Sequence, residues 1–185
     1  MFSLLKLRLR NKIRVKKHNT MSISPHSKVK NCKILIKGRN CHLIIDEGVN
    51  IRGSFIEIDG VDCTVHISKN CIIGESCYLS ARERNTSLTL GEGCMLSRNI
   101  KVMTSDGHDI LKNGQRINPA RSITIGNNVW LADNVTILKG VNVGDGSIVG
   151  INSTLTKSID KTSIAVGNPA KVVSKECTWA HQLSF

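Results

Sequence analysis

An aliphatic residue recurs at every sixth position through residues 123–173, and this spacing is the strongest constraint that the sequence places on the fold. The series comprises Ile125, Leu131, Ile137, Val143, Val149 and Leu155. A small or apolar residue follows each of them four positions later, at Val129, Val135, Val141, Ser147, Ser153 and Ile159. The period matches neither the alternation of an ordinary strand nor the turn of a helix. Six-residue repeats are typical of parallel β-helices, in which each repeat forms one side of a prism.

The same repeat extends toward the N-terminus in a looser form. The segments that begin at Ile34 and Ile56 superpose at an offset of 22 residues, and a further offset of 23 aligns Val65 with Leu88. Three hexapeptides fill only about 18 residues, so the spacing predicts corner loops of about four or five residues. These corner loops are predicted at 37–42, 59–64 and 82–87. Roughly seven coils are predicted between residues 29 and 173.

One segment interrupts the repeat. Leu88 and Leu90 correspond to Ile123 and Ile125 at an offset of 35, because residues 104–122 lack the six-residue pattern. This segment contains the motifs SDGHDI and NGQRINPA. A long loop without repeat character inside a compact domain is usually functional, so we expect a protruding functional loop at 104–122.

The composition suits a narrow prism. Aromatic residues make up only 3% of the chain, so aliphatic and small residues must fill the core. Three of the seven cysteines, Cys71, Cys77 and Cys94, fall on inward positions of the repeat and are predicted to be small core residues. The sequence has no CxxC pair and no closely spaced Cys/His cluster, so no metal is expected. Plain thiols suit a reducing cytoplasm.

The basic surplus lies in the N-terminal segment. The net charge is +12, and residues 1–45 carry twelve of the 26 lysines and arginines with no acidic residue. The pattern from residue 2 to residue 17 fits either a basic amphipathic helix or a strand of alternating leucines and basic residues. The helix would group Phe2, Leu5, Leu9 and Ile13. We interpret residues 1–28 as a basic cap over the first coil, and attraction to an anionic membrane leaflet or to an acidic acceptor is the functional alternative.

Other partners and compartments are disfavoured. Charge without aromatic stacking platforms or a reading motif supports only non-specific binding, so no nucleic-acid partner is expected. No apolar run approaches the length of a membrane span, and the N-terminus lacks the uninterrupted apolar region of a signal peptide. We therefore expect a cytoplasmic protein, at the inner face of the membrane if the basic segment binds lipid.

The chain resembles a known family in two segments, IGNNVWLADNVTILKGVNVGDGSIVGINSTLTKSI and AVGNPAKVV. These segments are similar to the hexapeptide-repeat acyltransferases that use acetyl-CoA. The resemblance is strongest to the branch that O-acetylates capsule and lipopolysaccharide sugars, because SDGHDI, NGQRINPA and a basic N-terminal segment occur together. It implies an all-β fold, a left-handed parallel β-helix at 29–173 with a catalytic loop at 104–122 and a C-terminal tail at 174–185. It also implies a homotrimer with active sites between subunits.

The long loop contains one histidine, His108, at the position of the catalytic histidine in the sugar O-acetyltransferases that the chain resembles. A histidine suits the role of general base because its ordinary pKa of about 6.5 lies near operating pH. Asp106, Asp109 or a backbone carbonyl is expected to orient the imidazole. The resemblance implies that Trp130 lines the active site near the thioester.

The resemblance also implies binding residues. The matches to positions that line the coenzyme groove are Ala132, Asp133, Gly150, Ile151, Thr156, Lys157, Lys171 and Lys175. Among them, Lys171 and Lys175 match the basic residues near the adenosine phosphates, where lysine supplies a point charge. The outward or loop residues that are expected to face an acceptor sugar are Tyr78, Arg82, Asn85 and Arg116.

The chain is therefore predicted to be an O-acetyltransferase that transfers an acetyl group from acetyl-CoA to a sugar hydroxyl of a surface polysaccharide. N-acetylation of an amino sugar, or of a small acceptor such as an antibiotic, is the alternative within the enzyme class. A non-catalytic β-helix scaffold is a further alternative. Carbonic-anhydrase-like members of the fold bind metal through three histidines, and His66 and His108 have no convincing third partner in the sequence.

Overall fold

The chain forms a three-sided β-solenoid in the computed structural model, which describes residues 4–182 and Ser184, with side chains from Leu7 onward. Most coils contribute one strand to each of three parallel sheets, here called sheets A, B and C. Sheet A has seven strands, so the stack contains about seven turns. The predicted fold class is confirmed: the chain is almost entirely β-structure, stacked as a solenoid that is consistent with a left-handed β-helix.

The strands follow one another around the prism in chain order. Sheet A contains β1 (Lys12–Val15), β4 (Lys33–Arg39), β7 (Phe55–Val61), β10 (Tyr78–Arg84), β13 (Lys101–Met103), β18 (Thr136–Ile137) and β21 (Thr154–Leu155). Sheet B contains β2 (Thr20–Ile23), β5 (His42–Ile45), β8 (Thr64–Ile67), β11 (Ser87–Leu90), β16 (Ile123–Ile125) and β19 (Asn142–Val143). Sheet C contains β3 (Lys28–Lys30), β6 (Asn50–Arg52), β9 (Ile72–Ile73), β12 (Met95–Leu96), β17 (Trp130–Leu131), β20 (Ile148–Val149), β22 (Ile164–Gly167) and the antiparallel β23 (Ala170–Ser174).

Inward side chains form columns along the axis of the solenoid. The first position of the repeat is fully buried, as shown by Ile125, Leu131 and Ile137 at 0% exposure. The prediction that cysteines fill the core is confirmed, because Cys71, Cys77 and Cys94 are at most 1% exposed. Their free thiols donate to backbone carbonyls of the neighbouring coil. Small and aliphatic residues therefore fill a core that has no room for aromatic rings.

The extra residues of the N-terminal coils extend one side of the prism. Strands β4, β7 and β10 continue as paired strands through Arg39, Val61 and Arg84, where the sequence predicts corner loops. The turns into sheet B are made by Asn40, Asp62 and Asn85, whose φ angles lie between 53° and 57°. Asn and Asp tolerate this left-handed conformation well. The predicted corner loops at 37–42, 59–64 and 82–87 are wrong in extent, because pairing between successive strands satisfies the backbone groups in the first part of each range and the corner follows it.

The N-terminal segment combines the two predicted conformations. Residues Leu4–Arg10 form a short helix, α1, and β1 begins at Lys12. Of the side chains grouped by the helical prediction, those of Phe2 and Leu5 lie outside the described part of the structure, and that of Leu9 is 77% exposed, whereas Leu7 is buried. The amide of Asn11 donates to the carbonyls of Leu7 and Val29, so it attaches α1 to the end of the first coil. The first coil therefore starts before residue 29, because β1 already pairs with β4.

The helical content is small. Among the described residues, no helix has the length and apolar character needed to cross a membrane.

Candidate active site

Residues 104–122 leave the solenoid after β13 on sheet A and rejoin it at β16 on sheet B. The loop carries an antiparallel hairpin of β14 (Leu111–Lys112) and β15 (Gln115–Arg116). Asn113 and Gly114 form its tip with φ angles of 51° and 74°, a conformation that an Asn-Gly turn favours. The loop thus projects from the edge between sheets A and B, and His108 lies in the arm that precedes the hairpin.

Asn118 holds the two arms of the loop together. This residue is only 7% exposed. Its Nδ2 donates to Asp106 Oδ2 at 2.7 Å and to the carbonyl of His108 at 2.8 Å, and its Oδ1 accepts from the amide of Ile110 at 2.7 Å. A buried amide with satisfied hydrogen bonds fixes the geometry of its partners. Asn118 therefore fixes the backbone at His108 and on both sides of it.

Lys139, on the following coil, attaches the loop to the solenoid. Its Nζ donates to the carboxylate of Asp106 and, at 2.9 Å, to the carbonyl of Asn118. The hydrogen bonds from Lys139 and Asn118 hold the pKa of Asp106 below its ordinary value. Asp106 is thus an ionised anchor of the loop, and its carboxylate makes no hydrogen bond to the His108 ring within the described chain.

A second anchor joins the loop to β10. Arg116 Nη2 donates to both carboxylate oxygens of Glu83 at 2.7 Å, and the Ser105 hydroxyl donates to Glu83 Oε1 at 2.6 Å. Burial raises the pKa of Glu83, but the hydrogen bonds from Ser105 and Arg116 outweigh burial and leave the pKa below its ordinary value. Arg116 Nε also lies 2.9 Å from Asp109 Oδ1. Asp109 therefore pairs with Arg116 rather than with His108.

The side chain of His108 lines an open cleft of about 290 Å³. The other lining residues include Asp59, Arg82, Glu83, Ser105, Asp109 and Arg116. His108 is exposed, and its contact with Asn118 is made by the backbone carbonyl, so the imidazole makes no hydrogen bond within the described chain. The structure therefore brings four of the predicted site residues to one place, namely His108, Asp109, Arg82 and Arg116.

Tyr78 and Arg82 meet at a buried carboxylate on sheet A. Glu57 is 5% exposed, and its Oε2 accepts from the Tyr78 hydroxyl at 2.5 Å and from Arg82 Nη2 at 2.8 Å. Burial raises the pKa of Glu57, but the hydrogen bond from Tyr78 and the charge of Arg82 lower it below its ordinary value. Burial and the bond to Glu57 raise the pKa of Tyr78. Glu57 thus fixes Arg82 at the rim of the cleft, whereas Asn85 lies at the exposed corner that follows β10.

Trp130 lies on a different side of the prism from the loop. It stands on the outer face of sheet C, and its Nε1 donates to the Ser97 hydroxyl at 3.2 Å. Trp179, in the C-terminal tail, packs on it with ring centroids 6.0 Å apart. The tail is held there by a 2.6 Å hydrogen bond from Trp179 Nε1 to the carbonyl of Asn128. Trp130 therefore does not line the His108 cleft of its own chain.

The predicted coenzyme residues occupy two edges of sheet A. The turns from sheet C into sheet A carry Ala132, Asp133, Gly150 and Ile151, and the turn that follows β21 carries Thr156 and Lys157. The second group lies on the edge from which the His108 loop projects. A single chain therefore does not gather all of these residues into one groove.

Two of these residues have structural roles in their turns. The carboxylate of Asp133 accepts from Arg98 Nη2 at 2.6 Å and from the Arg98 backbone at 2.9 Å, and these bonds lower its pKa. A Cβ on Gly150 would come within 2.6 Å of Val166, so packing against β22 requires glycine there. Ile151 is 61% exposed.

Two lysines near β23 carry exposed positive charge. Lys171 is exposed within β23, and Lys175 lies 3.4 Å from Asp160 in an exposed ion pair. An exposed ion pair is weak, so the Lys175 ammonium can turn away from Asp160 toward an anionic ligand. The exposed Lys171 ammonium can turn toward the same ligand. Among the described residues, no group of three or more His, Cys, Asp or Glu side chains is placed to hold a metal ion.

The sequence did not reveal the residues that position the site. Asn118 holds groups that lie 8 to 12 residues away within the loop. Lys139, Glu83 and Glu57 hold hydrogen-bond partners that lie 21 to 37 residues away. Those partners become neighbours only when the coils stack, so spacing along the chain does not predict the contacts. A partial signal exists for Asn118, because an asparagine directly before Pro119 in a long loop favours a fixed turn.

The sequence model described as bacterial transferase hexapeptide (six repeats) matches residues 122–157. This match and the three-sided stack identify the class of repeat: the chain contains the hexapeptide repeat of bacterial transferases.

Two curated relatives refine the comparison. The chain is 34% identical over 125 residues to the polysialic acid O-acetyltransferase of Neisseria meningitidis, a match that covers 66% of this chain and 57% of that protein. It is 32% identical over 138 residues to the polysialic acid O-acetyltransferase of Escherichia coli O1:K1, covering 74% of this chain and 44% of that protein. The chain thus spans about half the length of the curated relatives it matches.

Two solved structures share the architecture over most of the chain. The polysialic acid O-acetyltransferase OatWY superposes with a TM-score of 0.82 at 29% identity, over 94% of this chain and 89% of that chain. The polySia-specific acetyltransferase NeuO superposes with a TM-score of 0.69 at 27% identity, over 89% of this chain and 86% of that chain.

Proposed function

We propose that the protein is an acetyl-CoA-dependent O-acetyltransferase that acts on a sugar hydroxyl of a surface polysaccharide, such as a capsule, O-antigen or lipopolysaccharide chain. The observation that carries this proposal is the exposed His108 imidazole at a cleft, on a loop whose backbone is fixed from two sides by Asn118 and Glu83. The similarity to two polysialic acid O-acetyltransferases supports the acceptor class.

In the proposed reaction, His108 acts as the general base. Its imidazole takes the proton of the acceptor hydroxyl while the hydroxyl oxygen attacks the thioester carbonyl carbon. The carbon–sulfur bond breaks as the ester bond forms, and the proton passes to the leaving thiolate of coenzyme A. Because Asn118 binds the carbonyl of His108, the base is held in position without a carboxylate partner on the ring.

The placement of the binding residues supports a trimer with shared sites. His108, Thr156 and Lys157 lie at the edge between sheets A and B, whereas Trp130 and Ala132 lie on sheet C and at its edge with sheet A. If the first edge of one chain packs against the second edge of its neighbour, a closed ring brings both sets together. The coenzyme would then lie between subunits, with Trp130 near the thioester.

The remaining elements fit this arrangement. Exposed Lys171 and Lys175 supply positive charge for the adenosine phosphates, and the small residues Ala132 and Gly150 permit close approach of pantetheine. We place the acyltransferase domain from β1 to residue 173, with its catalytic loop at 104–122 and a tail at 174–185, so that the basic segment at 1–28 contributes the first coil. Free thiols and the use of acetyl-CoA favour a cytoplasmic location.

The test is thiol release from acetyl-CoA, with and without surface polysaccharide, for the native protein, His108→Ala and the control His66→Ala. His66 is a suitable control because it pairs with Asp46 on sheet B, away from the cleft. Polysaccharide-dependent release should fall by roughly 10²- to 10⁴-fold in His108→Ala only. Native turnover in His108→Ala would refute the base, and absence of both coenzyme binding and turnover in the native protein would favour a scaffold.

A further inference from the structure

The outer face of sheet A carries an uninterrupted row of basic and aromatic side chains. Strand register places them side by side on successive coils, in the order Lys12, Lys33, Phe55, Tyr78 and Lys101. Strands in a sheet lie about 4.8 Å apart, so the row extends over roughly 19 Å along the solenoid. We call these five residues the sheet A row.

Three members of the row contact one another. Lys33 Nζ lies 4.4 Å from the centroid of the Phe55 ring, in a cation–π arrangement. The rings of Phe55 and Tyr78 are 5.2 Å apart and inclined at 32°. The aromatic pair therefore forms a nearly continuous apolar platform with a positive charge at each end, supplied by Lys33 and Lys101.

The charge of this face is not compensated at its N-terminal end. Lys12, Arg14 and Lys33 are exposed, and none of them takes part in an ion pair within the described chain. The sequence has no acidic residue before Asp46, so the first coil and most of the second cannot supply a partner from their own strands. The field over this part of sheet A is therefore positive.

The sheet A row leads to the His108 cleft. Register aligns Lys37, Asp59 and Arg82 on three successive strands of the same face, each four residues after a member of the row, and Asp59 and Arg82 line the cleft. Tyr78 belongs to the row and bonds Glu57, which also holds Arg82. A ligand that lies along the row can thus reach the catalytic histidine without leaving the face of sheet A.

We propose that the sheet A row is an extended binding site for several consecutive units of an acidic polysaccharide, so that the protein selects polymer over single sugars. This inference rests on the proposed function. The lysines would contact the carboxylates of the chain, and Phe55 and Tyr78 would lie under the apolar faces of its sugar rings. Repeated positive charges along a line match repeated negative charges along an extended polymer, whereas a lipid surface would not enter the cleft that the row reaches.

The test measures binding and transfer as a function of acceptor length. The variant Lys12→Ala/Lys33→Ala removes two charges of the row. The matched control Lys28→Ala/Lys30→Ala removes two exposed charges from β3, in the same part of the chain but on sheet C. Fluorescence anisotropy with labelled polysialic acid of long and short chain lengths gives affinity at several salt concentrations, and the same fractions serve as acceptors in the thiol-release assay.

The row variant should bind long chains roughly 10- to 30-fold more weakly than the native protein, with a smaller salt dependence. In the native protein, KM should fall as the acceptor becomes longer. The row variant should lose this dependence on length, and the control variant should retain it. Phe55→Leu, which keeps the side chain apolar, should weaken long-chain binding without altering the salt dependence.

Three outcomes would overturn the proposal. Equal weakening in the row variant and the control would indicate non-specific attraction, and unchanged long-chain binding in the row variant would exclude the row. If the row variant lost binding only to vesicles containing anionic lipid, the face would be a membrane contact. The binding arm stands apart from the proposed function, because absence of acetyl transfer by the native protein leaves the affinity comparison intact.

Discussion

Replacing Asn118 by alanine should disable the catalytic loop while leaving the solenoid folded. The change deletes three short side-chain hydrogen bonds, to Asp106, to the carbonyl of His108 and from the amide of Ile110, and a long one of 3.5 Å from Arg116 Nε. Each short bond is worth about 1 kcal/mol net, so the ordered loop should lose roughly 2–3 kcal/mol relative to its disordered states. At about 1.4 kcal/mol for each factor of ten, kcat/KM should fall by roughly 30- to 150-fold.

The fold should tolerate the same change. Asn118 lies in a segment outside the three sheets, and its partners are loop residues rather than core side chains. Loop opening of this kind is local, so the thermal midpoint should move by no more than about 2 °C. Asn118→Asp should be no better than alanine, because a carboxylate cannot donate to Asp106 or to the His108 carbonyl. Lys112→Ala, on the exposed hairpin of the same loop, is the matched control.

The assay combines steady-state acetyl transfer, thermal melting and hydrogen exchange of the 104–122 amides. The expected result is fast exchange in the loop, native exchange in sheets A, B and C, and the stated loss of kcat/KM. Transfer within threefold of native together with unchanged loop exchange would refute the reasoning. A fall of the thermal midpoint by more than about 8 °C would show that Asn118 supports the whole fold instead.

Three further outcomes are expected. The pKa of Glu83 is lowered on folding, so its stabilisation of the loop is present above the unfolded pKa of about 4.3 and is lost as pH falls through the folded pKa. Hydrogen exchange of the loop amides, corrected for intrinsic rates, should therefore rise below about pH 4 in the native protein. The variant Glu83→Gln should lack this pH dependence. Six of the seven cysteines are buried, and burial raises the pKa of Cys32 and Cys77 among them, so alkylation at neutral pH should modify Cys177 alone until the protein unfolds, as counted by mass spectrometry. Ile58 is completely buried, so Ile58→Ala should lower the free energy of unfolding by about 2–5 kcal/mol, as measured in a denaturant titration. A smaller effect would mean that the neighbouring core side chains fill the cavity that the substitution creates.

The core of the solenoid could be predicted from the sequence because one physical rule generates it. Every coil places the same two positions inward, so Ile125 and Val129 predict their equivalents throughout the stack, and the cysteines on that period are buried as expected. The loop at 104–122 was equally visible, since it breaks the period. Resemblance to the family added the proposed catalytic role of His108, which periodicity does not contain.

Contacts between coils limited the prediction of the site. Lys139 reaches back by 33 residues to Asp106, and Glu57 joins Tyr78 to Arg82 across adjacent strands. These pairs depend on which outward side chains become neighbours after the coils stack, and the corner geometry that sets this register was itself mispredicted at β4, β7 and β10. Asp106 and Asp109 were expected to hold the imidazole, but each carboxylate is bound to a stronger cationic partner.

The number of stacked coils at the N-terminal end sets a distance along the solenoid. Lys33 pairs with Phe55 at a separation of 22 residues, and each coil touches mainly its two neighbours. Excision of residues 33–54 would therefore let Phe55 follow Cys32 directly and place β7 on β1 with the inward columns intact. The N-terminal charges would then stand about 4.8 Å closer to the histidine. Under the proposed function, the number of coils upstream of β10, rather than the shape of any one of them, sets how far from His108 an acidic acceptor is first bound.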